Sequence, residues 1–319
     1  MGRVLCRHTT DDFNQRRIGN GPGNDQASSI GTNLDLLVGV YLARHDVAAA
    51  LRVQRRRSDL LATVPIGTLS GFEFGDGLWM AADTALAAGD LAGATAHAEA
   101  LARLPFYRDE DHLATCRRLM VDALAGRFDD VVQTGELFRV GWQRAGRPVA
   151  SALCRAAYAV AMVYGMRGDE ERRAAWVRVT IDAGTDPREL AGWGKGFAVT
   201  FDALLALHRC DFAEAERRLA PDIDDPAVFG DWDSGLWRPW YAALWAEAAV
   251  LAGHPDAAER IGRSRHAARD NPIATAIVER AAAIAARDYD RLARFEATFA
   301  QLGCPYQHAR TVRLAADLR

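Results

Sequence analysis

The chain has 319 residues, 50% of them hydrophobic, and a formal net charge of −3. A weakly acidic chain lacks the basic surface that supplies most affinity for nucleic acids, and it has no overall attraction to anionic membranes. No run of about 18 apolar residues is present, which excludes a membrane-spanning helix. The N-terminus lacks a secretion signal, and the five cysteines show neither a disulfide nor a metal-binding spacing. We therefore expect a cytoplasmic protein without a cofactor.

The first segment, residues 1–31, differs from the rest of the chain. Its "RRIGNGPGNDQASSIG" stretch is rich in Gly, Asn and Ser and has no apolar period. Such a composition is typical of flexible connections. We predict a flexible N-terminal leader over residues 1–31 and one repeat domain over residues 32–319.

From residue 32 onward one pattern recurs along the chain. An Ala-rich apolar stretch ends in a small or polar pair, and a second stretch with a helical period follows. Glycine ends a helix by adopting a positive φ, and aspartate caps the start of the next one. Proline-containing segments separate one unit from the next and stop the preceding helix. The residues that open the second stretch are Asp46, Asp90, Arg127, Asp169, Asp211, His254 and Asp288.

The apolar residues within these units follow a helical period. Phe197, Phe201 and Leu204 lie on one stripe, and Phe212 and Ala215 begin another. These stripes have the 3.6-residue period of helices, and no stretch alternates as a strand does. The sequence therefore predicts an all-α fold, an α-solenoid of about seven antiparallel helix pairs.

The turns between paired helices resemble those of tetratricopeptide repeats. "CDFAEA" at 210–215 matches the pattern most closely, and "GDLAGA" at 89–94 is similar. Tetratricopeptide repeats are about 34 residues long. The step from Asp46 to Asp90 is longer, at 44 residues. The resemblance therefore implies a degenerate, tetratricopeptide-like array.

A narrower resemblance covers most of residues 70–319. "GFEFGDGLWMAADTALAAGDLAGA", "WYAALWAEAAVLAGHPDA" and "LGCPYQHARTVRLAA" resemble the helical arm of large actinobacterial LuxR-type and cyclase-linked ATP-binding transcriptional regulators. In that family a P-loop ATPase precedes the arm and a helix-turn-helix often follows it. This chain has no GxxxxGK[ST] motif, its nearest text being "GWGKGF" at 192–197, and it stops at Arg319. The resemblance implies a regulatory arm that senses a ligand or partner protein, without ATP or DNA binding.

Several short motifs suggest chemistry, and for each a simpler interpretation is favoured. "DIDD" at 222–225 matches the acidic box of terpene cyclases, but an acidic loop produces such a match by chance. "DWDSG" at 231–235 lacks the rest of a calcium-binding loop. "RVQRRRSD" at 52–59 is interpreted as a solvated helix face rather than a nucleic-acid patch, and "GWGKG" at 192–196 as close helix packing rather than a phosphate cradle. We predict no catalytic residue and no metal site.

The strongest candidate for a binding site is the segment 221–238. Trp240 and Trp245 belong to an apolar helical stripe, which indicates core packing. The preceding connection is longer than bundle connections usually are, and long loops are often functional. We expect this segment to line the concave face of the array and to contact a cationic ligand, a peptide or a partner protein. Its candidate residues are Trp232, Trp237, Asp222, Asp224, Asp225, Asp231, Asp233 and Arg238.

Two alternatives remain open for that segment. Trp232 could instead fold back to cap the next helix hairpin. The chain as a whole could be a small enzyme or a ligand-sequestering protein that uses the acidic segment 221–238. The main hypothesis is a non-enzymatic, regulatory interaction module.

The C-terminal end is a second candidate contact surface. The last predicted helix, 307–318, keeps Val312, Leu314 and Leu318 apolar and has no following helix to cover them. Because a repeat array needs polar ends, we expect homo-oligomerisation or a partner at this end.

Overall fold

The computed structural model describes residues 22–63, 70–184, 186–187 and 195–317. These ranges contain 18 helices and no strand, which confirms the all-α, helical-repeat prediction. Seven helix pairs are present: α1 (Pro22–Ala43) with α2 (Val47–Leu61), α3 (Ser70–Ala87) with α4 (Leu91–Arg103), α6 (Asp111–Ala125) with α7 (Phe128–Arg144), α8 (Ser151–Met166) with α9 (Glu170–Asp182), α10 (Lys195–His208) with α11 (Phe212–Arg218), α14 (Arg238–Ala252) with α15 (Ala257–Ala268), and α16 (Pro272–Ala285) with α17 (Tyr289–Gln301). The remaining helices are α5 (Pro105–Arg108), α12 (Pro226–Phe229), α13 (Trp232–Gly235) and α18 (Pro305–Asp317).

The first helix begins earlier than the sequence pattern indicates. Helix α1 starts at Pro22, within the segment predicted as a leader. Proline suits the first turn of a helix because its missing N–H needs no partner there. Residues 1–21 of that leader lie outside the described residues, as do Leu318 and most of "GWGKG". Across the described ranges, no helix combines the length and the hydropathy that crossing a membrane requires.

The seven turns inside the pairs share one backbone geometry. In each, the N–H of the opening residue donates to the carbonyl five residues earlier, as from Asp46 to Tyr41 at 2.9 Å. Together with a left-handed residue just before it, this bond forms a Schellman motif, which ends one helix and redirects the chain. The positions of the turns predicted from the sequence are thereby confirmed. The left-handed residues, with φ between 53° and 91°, are His45, Gly89, Gly126, Gly168, Cys210, Gly253 and Arg287.

At most of these turns an aspartate side chain caps the start of the second helix. At five of the turns the aspartate carboxylate accepts the backbone N–H three residues ahead. This bond satisfies one of the free donors at a helix start and is worth about 1 kcal/mol. The sixth turn differs, because the chain passes from His254 to Asp256 before α15 begins at Ala257. The five capping residues are Asp46, Asp90, Asp169, Asp211 and Asp288.

The first helices of the pairs form the interior. Every residue of α8 from Ala152 onward is buried, and so is every residue of α14 from Arg238 to Ala249. Both helices are apolar around most of their circumference, which is the pattern of a helix enclosed on all sides. The second helices, such as α7 and α9, keep an exposed polar face. Inner helices of neighbouring pairs therefore pack on one another.

Contacts between distant parts of the chain close the array. The Trp240 indole N–H donates to the Leu86 carbonyl at 2.9 Å, and the Asn271 amide donates to the Ala87 carbonyl at 3.0 Å. Gly235 lies against the backbone of Leu42, where an added Cβ would come within 2.3 Å of the carbonyl oxygen. In the described part of the chain, helices α14 and α16 of the late pairs thus contact the end of α3, which belongs to an early pair.

The C-terminal helix is also packed against an earlier pair. The side chain of Tyr306 lies on Gly126, and Arg310 is buried. Leu314 is buried as well, whereas Val312 is 44% exposed. Leu314 is one of the apolar residues predicted to need a partner at this end. It is already buried by other residues of the same chain.

Candidate functional site

The segment 221–238 forms two short helices rather than an extended loop. Helix α12 begins after Asp225, whose carboxylate accepts the N–H of Ala227 at 2.8 Å. Helix α13 begins after Asp231, whose carboxylate accepts the N–H of Ser234 at 2.7 Å. These two aspartates therefore act as helix caps.

Two further aspartates of the segment pair with arginines. Asp222 accepts from Arg263 at 2.8 Å, and Asp224 accepts from the same guanidinium at 2.9 Å. Arg238 donates to Asp224 at 2.5 Å and to the Ile223 carbonyl at 2.9 Å. The hydrogen bond from Arg263 lowers the pKa of Asp222 below its ordinary value. Although both carboxylates are exposed, their charge is largely balanced within the chain.

Asp233 belongs to a buried cluster of four charged residues. Its carboxylate lies 2.7 Å from Nη1 of Arg155, and Arg155 also approaches Asp83 at 3.5 Å. Asp83 lies 2.8 Å from Nε of Arg117. All four side chains are at most 2% exposed. Burial raises the pKa of Asp233, and the nearby Arg155 opposes that rise. The cluster joins α3, α6, α8 and α13 and is closed to a partner.

The two tryptophans of the segment pack inside the chain to different extents. Trp237 is 1% exposed and meets Phe201 edge to face, with ring centroids 5.2 Å apart. Trp232 is partly buried. Its side chain packs against Gly39 of α1, because a Cβ added at Gly39 would lie 3.7 Å from it, an ordinary van der Waals distance. Trp237 and Asp233 are therefore not accessible to a ligand, and Trp232 contacts the first helix. The contact of Trp232 that the structure shows is thus with α1, and the cap on the following helix hairpin stays a prediction.

The partners of these residues lie far from them in the sequence. Arg155 lies 78 positions before Asp233, and Arg263 lies 39 positions after Asp224. Neither separation matches a helical or turn spacing, so no local pattern connects the residues. The cluster of aspartates therefore suggested a charged surface, although each carboxylate either caps a helix or pairs with an arginine.

A groove that the sequence reasoning missed lies between the outer helices α7 and α9. Its volume is about 330 Å³. Two aromatic side chains, Tyr164 and Trp176, form part of its lining, with Trp176 only 4% exposed. The Arg172 guanidinium stands 5.7 Å from the centre of the Tyr164 ring. The other lining residues are Glu136, Arg139, Gln143, Ala175 and Val179.

Exposed apolar side chains lie on α7, where Val140 is beside the groove and Leu137 lies farther round the helix. On α7, Leu137 is 54% exposed and Val140 is 51% exposed. Val140 is four positions after Glu136 and three before Gln143, so it lies on the same side of α7 as these lining residues. The result is an amphipathic surface, apolar along α7 and charged at the Glu136–Arg139 ion pair, whose atoms are 2.7 Å apart. The only sequence signal for it is the apolar pair Leu137 and Val140 on the polar side of a helix.

Among the residues that the structure describes, His, Cys, Asp and Glu side chains form no group of three that could hold a metal ion. In comparisons with known proteins, no family model matches the chain, and no curated protein or solved structure does.

Proposed function

We propose that the chain is a non-enzymatic helical-repeat interaction module that binds a segment of a partner protein in the groove between α7 and α9. The observation that supports this proposal is the combination of an aromatic floor with the exposed apolar side chain of Val140 beside it. The resemblance to the helical arms of transcriptional regulators suggests a regulatory role in the cytoplasm.

Physical properties of the groove favour a peptide of a partner over a small molecule. The surface lies between the outer helices α7 and α9, and a groove between two helices can receive an amphipathic helix. Apolar anchors of such a helix would cover Val140 and Val179. Its polar groups would meet Arg139 and Arg172 at the rim, which fixes orientation more than it adds affinity.

A selection experiment tests the groove. A random peptide library displayed on phage is selected against the purified chain, and the enriched peptides are measured by fluorescence anisotropy. We expect amphipathic peptides whose affinity falls at least tenfold for Leu137→Glu with Val140→Glu, because buried apolar anchors carry most interface energy. Val312→Glu is the control, since it replaces an exposed apolar residue by one glutamate at a distant position on α18.

Two results would contradict the proposed groove. One is equal binding of the enriched peptides to the double variant and to the wild type. The other is loss of binding on Asp222→Asn with Asp224→Asn, which would return the site to the acidic segment 221–238. Circular dichroism of each variant checks that the helical fold is retained.

A further inference from the structure

The first helix carries an exposed apolar face. Ile30 is 38% exposed, Leu36 64%, Leu37 44% and Val40 43%. Their spacing places them on one side of α1, because residues three, four and seven positions apart share a helix face. The opposite side of α1 is buried through Leu34, Val38 and Leu42.

Among the described residues, this face lies at one end of the repeat array. Each inner pair of a repeat protein is covered by a neighbour on both sides, and a terminal repeat normally shows a polar outer face instead. Helix α1 has α2, α3 and α13 on its inner side. Its outer side carries the four apolar residues together with the exposed Asn33.

The same end of the molecule is basic. Arg44 is exposed four positions after Val40, on the apolar side of α1. Helix α2 exposes three further arginines, and the structure shows no ion pair for these four guanidinium groups among the described residues. By contrast, the buried Arg57 is paired with Asp35 at 2.9 Å. The exposed arginines of α2 are Arg52, Arg55 and Arg56.

We propose that the α1–α2 end binds an acidic amphipathic helix of another protein, which packs as an additional helix of the array. Its apolar side would cover Leu36, Leu37 and Val40, and its carboxylates would face Arg44 and the arginines of α2. This charge pattern argues against a second copy of the chain, because a symmetric contact places two basic ends side by side. The surface is separate from the groove between α7 and α9.

Two synthetic helices provide the test. Both carry the same leucine face, but glutamates flank it in one and lysines in the other, and binding to the chain is followed by fluorescence anisotropy. We expect the glutamate helix to bind at least tenfold more tightly, and added salt to weaken it because exposed charges are screened. Leu36→Glu with Leu37→Glu should reduce its affinity at least tenfold. Arg55→Glu with Arg56→Glu should reduce it mainly at low salt.

Control variants separate this surface from the rest of the chain. Val312→Glu and the pair Leu137→Glu with Val140→Glu should leave binding of the glutamate helix unchanged. Loss of binding in the latter pair would instead place this helix in the α7–α9 groove. If the glutamate helix does not bind the α1–α2 end while peptides still bind the α7–α9 groove, the proposed function is unaffected. If peptides do not bind the groove while the glutamate helix binds the α1–α2 end, the present inference is unaffected.

Other outcomes would overturn the inference. Equal binding of the two synthetic helices would indicate apolar adhesion without charge recognition, and no binding of either would remove the site. A dimer in light scattering that Leu36→Glu dissociates would identify a second copy as the occupant. Sedimentation with phosphatidylglycerol vesicles that Leu36→Glu abolishes would identify a membrane surface.

Discussion

At the scale of single residues, three of the seven turns place a side chain where glycine is normally preferred. His45, Cys210 and Arg287 have φ values of 60°, 58° and 53°. A residue with a Cβ loses about 1–2 kcal/mol in this left-handed region. The following aspartate cap and the packing of both helices hold the turn in place. These turns could be found from the sequence because the aspartate and the apolar stripes remain when the glycine is absent.

Replacing Cys210 by glycine should stabilise the chain. The substitution removes the free-energy cost of holding a residue with a Cβ at a positive φ. The greater conformational freedom of glycine in the unfolded chain offsets about 0.4–1 kcal/mol of this stabilisation. Since Cys210 is exposed, no core contact is lost. We expect about 0.5–1 kcal/mol of added stability in urea unfolding under reducing conditions.

The converse substitution serves as the control. Gly168 has φ of 75°, and an added Cβ there would meet no atom within 4 Å. Gly168→Ala should therefore lose about 1 kcal/mol from backbone conformation alone. If Cys210→Gly were destabilising while Gly168→Ala behaved as expected, a contact of the Cys210 side chain would have to outweigh the backbone effect.

At the scale of helices, buried ion pairs connect elements that are distant in sequence. Glu247 of α14 is paired with Arg280 of α16 at 2.6 Å and also with Arg310 of α18. Arg280 donates further to Gln307 and Thr311, both at 2.9 Å. The single carboxylate therefore balances two buried guanidinium groups from separate helices.

Removing the charge of Glu247 should destabilise this junction. Glu247→Gln leaves two buried arginines without a counter-charge, which costs about 3–5 kcal/mol. Burial alone would raise the pKa of Glu247, but Arg280 and Arg310 lower it below the ordinary value of 4.5. A carboxylate with a lowered pKa stabilises the fold above its ordinary pKa and loses that contribution as the pH falls. Thermal unfolding should show a loss below about pH 4.5 in the wild type and a flatter profile in the variant.

Asp76 should show the opposite dependence on pH. Burial, followed by the nearby Asp35 and Glu73, raises its pKa to about 7, against the lowering influence of Arg57. A carboxyl group with a raised pKa stabilises the fold when protonated, and that contribution is lost as the pH rises towards 7. Asp76→Asn should therefore raise the melting temperature near pH 8 and leave it unchanged near pH 4. The exposed Asp59→Asn is the control, and a similar gain from it at pH 8 would contradict a specific role of Asp76.

The long helices could be predicted from the sequence, whereas the contacts between distant helices could not. The turns depend on neighbouring residues, such as Gly89 and Asp90, so a local pattern reveals them. The ion pair of Arg155 with Asp233 depends on how whole helix pairs are arranged, which no local pattern encodes. For the same reason, the tryptophan- and aspartate-rich segment 221–238 resembled a surface, although Trp237 lies in the core.

At the scale of the whole molecule, cross-contacts distinguish this array from an open solenoid. In an open solenoid each repeat contacts only its neighbours, so the ends can unfold independently. Here α3 of the second pair accepts hydrogen bonds from Trp240 of α14 and from Asn271 at the start of α16, which belong to the last two pairs. We therefore expect the early and late pairs to unfold as one cooperative unit.

Asn271 offers a direct test of that coupling, because its side chain has two separable roles. Its oxygen caps α16 by accepting the N–H of Ala274, and its amide donates to the Ala87 carbonyl of α3. Asn271→Ser keeps a good cap but leaves the buried Ala87 carbonyl without this donor, at a cost of about 1–3 kcal/mol. Asn271→Ala removes both bonds and is the reference. Hydrogen exchange followed by mass spectrometry should show faster exchange of α3 and α16 together in the serine variant. Faster exchange confined to the first turn of α16 would mean that the early and late pairs are not coupled through this contact.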